Sequence, residues 1–194
     1  MKLILESVCF SYGEKQILHN TNLTLAAGDK IALMGASGTG KTTLLRLMAG
    51  LNLPDSGTVQ GIPAQGVSMV FQENRLLPHL TALDNLALVA PYKSAAELTA
   101  LLAEVGLAGE GNSYPKALSG GMKRRVAIAR AIALGSPLVL LDEPFSGLDE
   151  ASRRQTAEFL LQHTTQSIVV AVTHDPQEAQ LLGAQIVTLD SLRK

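Results

Sequence analysis

The segment from Gly35 to Thr42, with the sequence GASGTGKT, has the residue types and spacing of a phosphate-binding loop. Its glycines let the backbone turn sharply and bring N–H groups close to phosphate oxygens, at the positive end of the helix expected to follow. The Lys41 ammonium can reach the outer phosphates, and the Thr42 hydroxyl is placed to bind Mg²⁺. A glycine-rich turn with a solvated lysine is the alternative interpretation. We expect a nucleoside triphosphate at Gly35, Ala36, Ser37, Gly38, Thr39, Gly40, Lys41, Thr42 and Thr43.

Two adjacent carboxylates, Asp142 and Glu143, directly follow the apolar run LVLL at 138–141. If this run is a buried strand, both acids lie at its carboxyl end, where the phosphate loop is also expected. Asp142 then suits the coordination shell of Mg²⁺, and Glu143 suits the orientation or deprotonation of the water that attacks a γ-phosphate. Taken alone, an acidic pair after a strand more often begins a solvated loop.

The segment LSGGM, residues 118–122, precedes a helix expected at 123–134. Ser119 is a natural N-cap, and Gly120 and Gly121 expose backbone N–H groups at the positive end of that helix. These features indicate a second anion-binding site, or a plain helix cap. Nothing in the spacing alone brings this segment close to the first site.

The elements that must position these residues alternate between strands and helices. Strands are expected at 2–10, 16–25 (after a turn at 11–13), 30–34, 67–71, 138–141, 168–173 and 184–189, with a short one after the turn at 55–57. Helices are expected at 41–49, 123–134, 150–163 and from Asp175-Pro176, and Thr81 with Asp84 and Ser94 with Glu97 fit capped helix starts.

This order predicts an α/β fold in one domain of residues 1–194. A mainly parallel sheet flanked by helices binds ligands at the carboxyl ends of its strands. Residues of about 1–72 and 136–194 form the expected nucleotide-binding core, which includes an N-terminal antiparallel β subdomain. Residues of about 73–135 form an inserted helical subdomain.

Composition narrows the possible classes of protein. The 194 residues are 46% hydrophobic and 17% charged, which is a globular composition. A net charge of −1 argues against a protein that mainly coats nucleic acid, and the single Cys9 fits a reducing compartment. No apolar run approaches the ~18 residues that a membrane span requires, so we expect neither a span nor export.

In their order along the chain, these motifs resemble those of the nucleotide-binding subunit of ATP-binding cassette (ABC) transporters, a family of P-loop NTPases, over nearly the full length. The residues that carry the resemblance are 35–42 (Walker A), Gln72 (Q-loop), 118–122 (signature LSGGQ), 138–143 (Walker B with the catalytic Glu143), Asp149 (D-loop) and His174 (switch histidine). Tyr12 matches the aromatic residue that stacks on adenine, although an aromatic residue at a strand turn is often simple packing. Met122 departs from the usual glutamine.

The resemblance implies that two copies form a head-to-tail dimer around ATP and Mg²⁺. Ser119, Gly120 and Gly121 of one copy then close on the γ-phosphate held by Lys41 of the other, and hydrolysis favours opening. His174 would contact the γ-phosphate and steady Glu143. Asp149 would link the two sites, and Gln72 would touch the Mg²⁺ site and report nucleotide state to a membrane partner.

The segments around Gln72 and Ser119 most resemble bacterial importers of the nitrate, sulfonate and taurine group. This implies integral membrane permease subunits as partners, an extracytoplasmic solute-binding protein that acts through the permease, and a location at the cytoplasmic face of the cell membrane. We interpret the basic cluster Lys123-Arg124-Arg125 as a solvated or interfacial helix face and expect no nucleic acid. The alternatives are a soluble ABC ATPase that acts on ribosomes or nucleic acid, and a phosphate-loop kinase or GTPase.

Overall fold

The computed structural model describes residues 1–193, and Lys194, the last residue of the expected domain, lies outside the described part. Its strands are β1 Lys2–Tyr12, β2 Lys15–Ala26, β3 Lys30–Met34, β4 Ser56–Gln60, β5 Ser68–Val70, β6 Leu138–Asp142, β7 Ile168–Val172 and β8 Gln185–Thr188. Its helices are α1 Lys41–Met48, α2 Ala82–Ala87, α3 Ala95–Glu104, α4 Gly120–Ala133, α5 Glu150–His163 and α6 Pro176–Leu181. Short 3-10 helices cover Pro115–Ala117 and Asp190–Leu192.

A five-stranded sheet with the order β5-β6-β7-β3-β8 forms the centre of the molecule, and its neighbouring strands are parallel. Every residue of β6 and β7 is buried, as the uninterrupted apolar runs predict for central parallel strands. The carboxyl ends of β3, β6 and β7 therefore meet at one edge of the sheet. This arrangement confirms the expected α/β fold with a mainly parallel sheet.

A separate antiparallel sheet with the order β2-β1-β4 flanks this centre, and its strand β4 follows β3 and α1 in the chain. Ser11 pairs with Gln16 and Tyr12 with Lys15, so the expected turn at 11–13 begins two residues too early. The turn is formed by Gly13 and Glu14, because the positive φ of 58° at Gly13 suits a tight hairpin turn. Tyr12 is thereby the last residue of a strand.

The helix starts follow the local sequence closely. Both expected capping boxes are present, at Thr81 for α2 and Ser94 for α3. Ser119 caps α4 through a hydrogen bond that its hydroxyl accepts from the Met122 N–H. This helix begins at Gly120 rather than at residue 123, so the two glycines form its first turn.

Apolar side chains pack on both faces of the parallel sheet. In β6, Leu138 and Leu140 belong to a cluster that contains α1 and the antiparallel sheet, whereas Val139 and Leu141 belong to a cluster that contains α2, α3 and α4. The helices of the segment 73–135 thus share a core with the sheet, and their assignment to a separate subdomain remains a prediction. Within residues 1–193, no helix is long and apolar enough to cross a membrane.

The Ser94 cap offers a direct test of the local physics of the helical segment. We expect Ser94→Ala to lower the free energy of unfolding by about 1 kcal/mol, because the Glu97 N–H loses its acceptor and the Glu97 carboxylate loses the hydrogen bond from the Ser94 hydroxyl. This corresponds to a fall in Tm of about 2–4 °C for a domain of this size. Thr99→Ala is the matched control, because it removes an exposed hydroxyl from the interior of the same helix, where alanine is the better helix former. An equal loss of Tm in both variants would contradict the capping role.

Candidate functional site

The loop 35–40 connects β3 to α1 at the sheet edge. Gly40 has a φ of 107°, and a Cβ placed there would lie 2.5 Å from Cγ2 of Ile17, so glycine is required by conformation and by space. The structure shows no side-chain cap at the start of α1, and its first N–H groups are therefore available to an anion. Lys41 Nζ donates to Gly35 O at 2.9 Å and Ala36 O at 2.7 Å, which uses two of its three donors among the described residues.

A hydroxyl and a carboxylate meet beside this loop. The Thr42 hydroxyl donates to Asp142 Oδ2 at 2.9 Å, across 100 residues of sequence. Asp142 is 3% exposed, and this burial, with the neighbouring Glu143, raises its pKa, although the Thr42 hydroxyl and the charges of Arg124 and Lys41 oppose the shift. Two hard oxygen ligands in a cleft open to phosphate and water fit Mg²⁺, which typically keeps several waters and binds few protein groups.

Glu143 and His174 follow the neighbouring strands β6 and β7. Glu143 Oε1 lies 2.8 Å from Nε2 of His174, and the proton between them depends on the histidine tautomer. The Glu143 N–H donates to Val172 O at 3.0 Å, and this residue has a φ of 51°, which is uncommon for a side chain other than glycine. A carboxylate that is held by an imidazole and carried on a strained backbone is suited to orient a water molecule.

One cavity of about 310 Å³ collects most of the residues that the sequence singles out. It is lined by Tyr12, Ile17, Ser37, Gly38, Gly40, Lys41, Thr42, Thr43, Gln72, Asp142, Glu143, Val172 and His174. Gly35, Ala36 and Thr39 line a neighbouring cavity of about 390 Å³ instead. Sequence reasoning missed Ile17 and Val172, because an apolar residue of a strand carries no signal that separates cavity lining from core.

Tyr12 forms the wall of the cavity at the end of β1. Its ring packs edge-on against Phe10 with 4.9 Å between centroids, and its hydroxyl accepts a hydrogen bond from Asn52 Nδ2 at 3.3 Å. The residue nevertheless remains 49% exposed. A planar ring that is held in place and partly exposed can stack on a base.

The signature residues lie elsewhere in the single chain. Ser119, Gly120 and Gly121 are absent from the cavity lining, and a Cβ added at Gly120 would meet nothing within 4 Å. Asp149 caps α5 through the N–H of Ser152 at 2.8 Å and likewise lies outside the cavity. One copy therefore assembles the loop, the acids and the histidine, and leaves these segments apart.

The interpretation of the basic cluster 123–125 as a solvated or interfacial helix face is wrong for Arg124, whereas Lys123 and Arg125 are half-buried. Arg124 is 2% exposed and donates to backbone carbonyls near the cavity, while Arg125 Nη1 donates to Gly106 O at 2.8 Å. The helical period indicates that Arg124 is buried, because it lies four and eight residues before Ile128 and Ile132, which are both buried on the same face of the helix. Three basic residues in a row therefore do not indicate a solvated face of the helix.

Comparisons with known proteins agree with this geometry. A family model described as ABC transporter matches residues 18–146. A sulfate/thiosulfate import ATP-binding protein of Thermosynechococcus vestitus is 39% identical, with 98% of this chain and 62% of the relative covered. An aliphatic sulfonates import ATP-binding protein of Pseudomonas syringae pv. tomato is 42% identical, with coverages of 90% and 76%. This chain thus spans less than two thirds of the first relative and about three quarters of the second.

Two solved structures have the same architecture. The dimeric structure of a bacterial ABC transporter cassette superposes with a TM-score of 0.86 at 28% identity, and covers 99% of this chain and 97% of its own. A dimeric post-hydrolysis state of an ATP-binding cassette bound to ADP and Pi gives a TM-score of 0.82 at 29% identity, with coverages of 97% and 95%. The sequence match, the fold and the site geometry agree, and the chain belongs to the ABC transporter family.

Proposed function

We propose that this chain is the ATP-hydrolysing subunit of an importer, which drives a separate membrane permease through closure and opening of a dimer. The observation that carries the proposal is the convergence of four groups in one cavity. The Thr42–Asp142 pair is closed by a 2.9 Å hydrogen bond, and Glu143 lies 2.8 Å from His174 in the same cavity. Curated relatives that carry the name import ATP-binding protein support the direction of transport.

The loop and Lys41 would hold the triphosphate, because backbone N–H groups, a helix N-terminus and an ammonium converge on one anion. Thr42 and Asp142, with Gln72 at the same cavity, would hold Mg²⁺, which neutralises phosphate charge when bound. Glu143 would orient the attacking water and accept its proton. His174 would fix the Glu143 carboxylate through their hydrogen bond and approach the γ-phosphate.

A second copy would complete the site. Ser119 and the two glycines that follow it lie outside the cavity, yet they form a capped helix start with free N–H groups. Placed over the γ-phosphate of a partner, this helix start would add a second positive dipole end. The dimeric state of the matched cassette structure supports the pairing of two copies, and we propose that they are arranged head to tail. Asp149, on the loop before α5, would then link the two sites.

The partners follow from this role. We propose integral membrane permease subunits at the cytoplasmic face of the cell membrane, with a solute-binding protein acting through them, and no nucleic acid. The names of the relatives, which are sulfate/thiosulfate and aliphatic sulfonates importers, favour a small oxyanion as solute. The alternative hypothesis is a soluble ABC ATPase that acts on ribosomes or nucleic acid. Co-purification with ribosomes and without any permease would favour this alternative.

Replacement of the proposed base tests the assignment of Glu143. We expect Glu143→Gln to lower kcat for ATP by about 100-fold or more, because the amide cannot accept the water's proton. The variant should still bind ATP and should accumulate as an ATP-bound dimer in size-exclusion chromatography. Glu158→Gln is the control, since it removes an exposed carboxylate on α5 and should retain parental turnover. Parental turnover in Glu143→Gln would refute the proposed role.

Mixing two inactive variants tests the composite site. Lys41→Ala and Ser119→Arg should each lack turnover, whereas their equimolar mixture should recover about a quarter of parental activity through heterodimers with one intact site. Ser94→Arg is the matched control, because it makes the same substitution at the N-cap of another helix and should stay active. Failure of the mixture to regain turnover would argue against trans contribution by Ser119.

The buried charge of Asp142 should cost stability in the free protein. Its raised pKa means that the ionised folded form is disfavoured, so Asp142→Asn should raise Tm near neutral pH by about 2–4 °C, on the order of 1 kcal/mol. The difference should vanish as the pH falls below the ordinary aspartate pKa, where both states of the parent are protonated. Asp190→Asn, at an exposed carboxylate, should leave Tm unchanged.

Magnesium gives the second measurement on the same variant. ATP with Mg²⁺ should raise the Tm of the parent more than ATP alone, and this increment should disappear in Asp142→Asn. If Asp142→Asn is less stable than the parent, the proposed cost of the buried charge is wrong. If it keeps the increment in Tm that Mg²⁺ adds to ATP, the assignment of Asp142 to the Mg²⁺ site is wrong.

A further inference from the structure

A buried arginine connects the signature helix to the catalytic edge of the sheet. Arg124 lies on α4, five residues after Ser119, and is 2% exposed. Its guanidinium contacts no carboxylate oxygen within ion-pair distance among residues 1–193, unlike Arg153 and Arg154. It is surrounded by backbone carbonyls, which is an unusual environment for a full positive charge.

The guanidinium donates to the loops that carry two of the proposed site residues. Nη1 donates to Phe71 O, and at longer range to Gln72 O at 3.3 Å. Nη2 donates to Asp142 O and Glu143 O, and Nε donates to Pro144 O at 3.2 Å. Because the guanidinium has five donors in a rigid plane, one side chain fixes both loops at once.

We propose that Arg124 is a positioning residue, which locks the Glu143 and Gln72 loops to α4 so that closure of this helix on a partner's nucleotide sets the catalytic geometry in its own subunit. The inference rests on the proposed function, since it takes the role of Glu143 from it. A helix moves as a rigid rod over one or two turns, and Ser119 lies only about 7.5 Å along the axis from Arg124. A displacement at the helix start must therefore move the carbonyls bound to Arg124 or break those bonds.

The strained backbone of Glu143 makes it sensitive to this contact. Its φ of 51° is held by its own N–H, which donates to Val172 O, and by its carbonyl, which accepts from Arg124 and from the Ser146 N–H at 3.1 Å. Loss of the bond from Arg124 leaves that carbonyl with the Ser146 N–H as its one remaining donor among residues 1–193, and so weakens the support of a backbone conformation of low intrinsic population. Small displacements of a catalytic group reduce turnover strongly, while substrate affinity depends on other contacts.

The experiment compares two arginines of one helix in the purified full chain. Arg124→Lys keeps the charge, but its single nitrogen cannot reach both loops. We expect kcat for ATP to fall about 10-fold or more, with KM changed by less than about 3-fold, because the lost interaction acts on the transition state. Arg125→Lys is the matched control, since Arg125 also donates to carbonyls, at Val105 and Gly106, away from the cavity. We expect its kcat to stay within about 2-fold of the parent.

Thermal unfolding separates positioning from simple support of the fold. The proposal would be overturned if Arg124→Lys had a lower Tm with a parental kcat. It would also be overturned if the fall in kcat/KM came from a higher KM with kcat unchanged. Arg124→Gln, with two donors, should regain part of the turnover that Arg124→Met lacks. Glu143→Gln is measured alongside. If it loses turnover while Arg124→Lys does not, the inference alone fails, and if it retains turnover, the proposed function fails first.

A measurement without any change at Arg124 covers the case in which these variants do not fold. Amide hydrogen exchange of Glu143→Gln with ATP should show added protection at residues 72–74 and 143–146 together with the first turn of α4. The same protein with Ser119→Arg in addition should lose the added protection at 143–146, because closure is blocked. Equal protection at 143–146 in both proteins would overturn the proposed coupling between closure of α4 and the Glu143 loop.

Discussion

Backbone hydrogen bonds between β3, β7 and β6 hold three strand ends at one edge of the sheet. Leu33 and Asp142 both pair with Val172, so the register of two parallel ladders fixes where each following loop begins. A shift by one residue would exchange side chains between the two packed faces of the sheet and separate the phosphate loop from the acids. Thr42 and Asp142 meet across 100 residues because this register brings them together. The chemistry of the site thus depends on sheet pairing more than on any local sequence.

The same edge concentrates features that are unfavourable in isolation. Asp142 is a buried carboxylate with a raised pKa, Glu143 has a positive φ, and Arg124 is a buried cation that forms no ion pair with a carboxylate of residues 1–193. The entirely buried strands β6 and β7 supply apolar burial that offsets these costs. Strained and desolvated groups next to a rigid core are typical of sites whose geometry must already be in place before the ligand arrives.

Sequence reasoning succeeded where a feature is local. The capping boxes at Thr81 and Ser94, the strand–loop–helix around 35–42 and the succession of strands and helices along the chain follow from periodicity and turn chemistry, although ends differ by up to three residues. It failed at Arg124, which was expected to be solvated or interfacial. Its partners Phe71 and Asp142 lie 53 and 18 residues away, and only the tertiary fold brings them into contact. Ile17 and Val172 escape sequence reasoning because apolar strand residues that line a cavity look like core residues.

The position of α4 gives a physical basis for a divided site. Its capped N-terminus carries Ser119 and lies outside the cavity of its own chain, while Arg124, in its second turn, binds the backbone beside that cavity. Under the proposed function, one short helix then contacts the nucleotide of the partner and the catalytic loops of its own subunit. Since the bonds of Arg124 are directional and buried, they break with difficulty and transmit small shifts. Under the proposed function, α4 and Arg124 then connect the two composite sites directly, without a flexible segment between them.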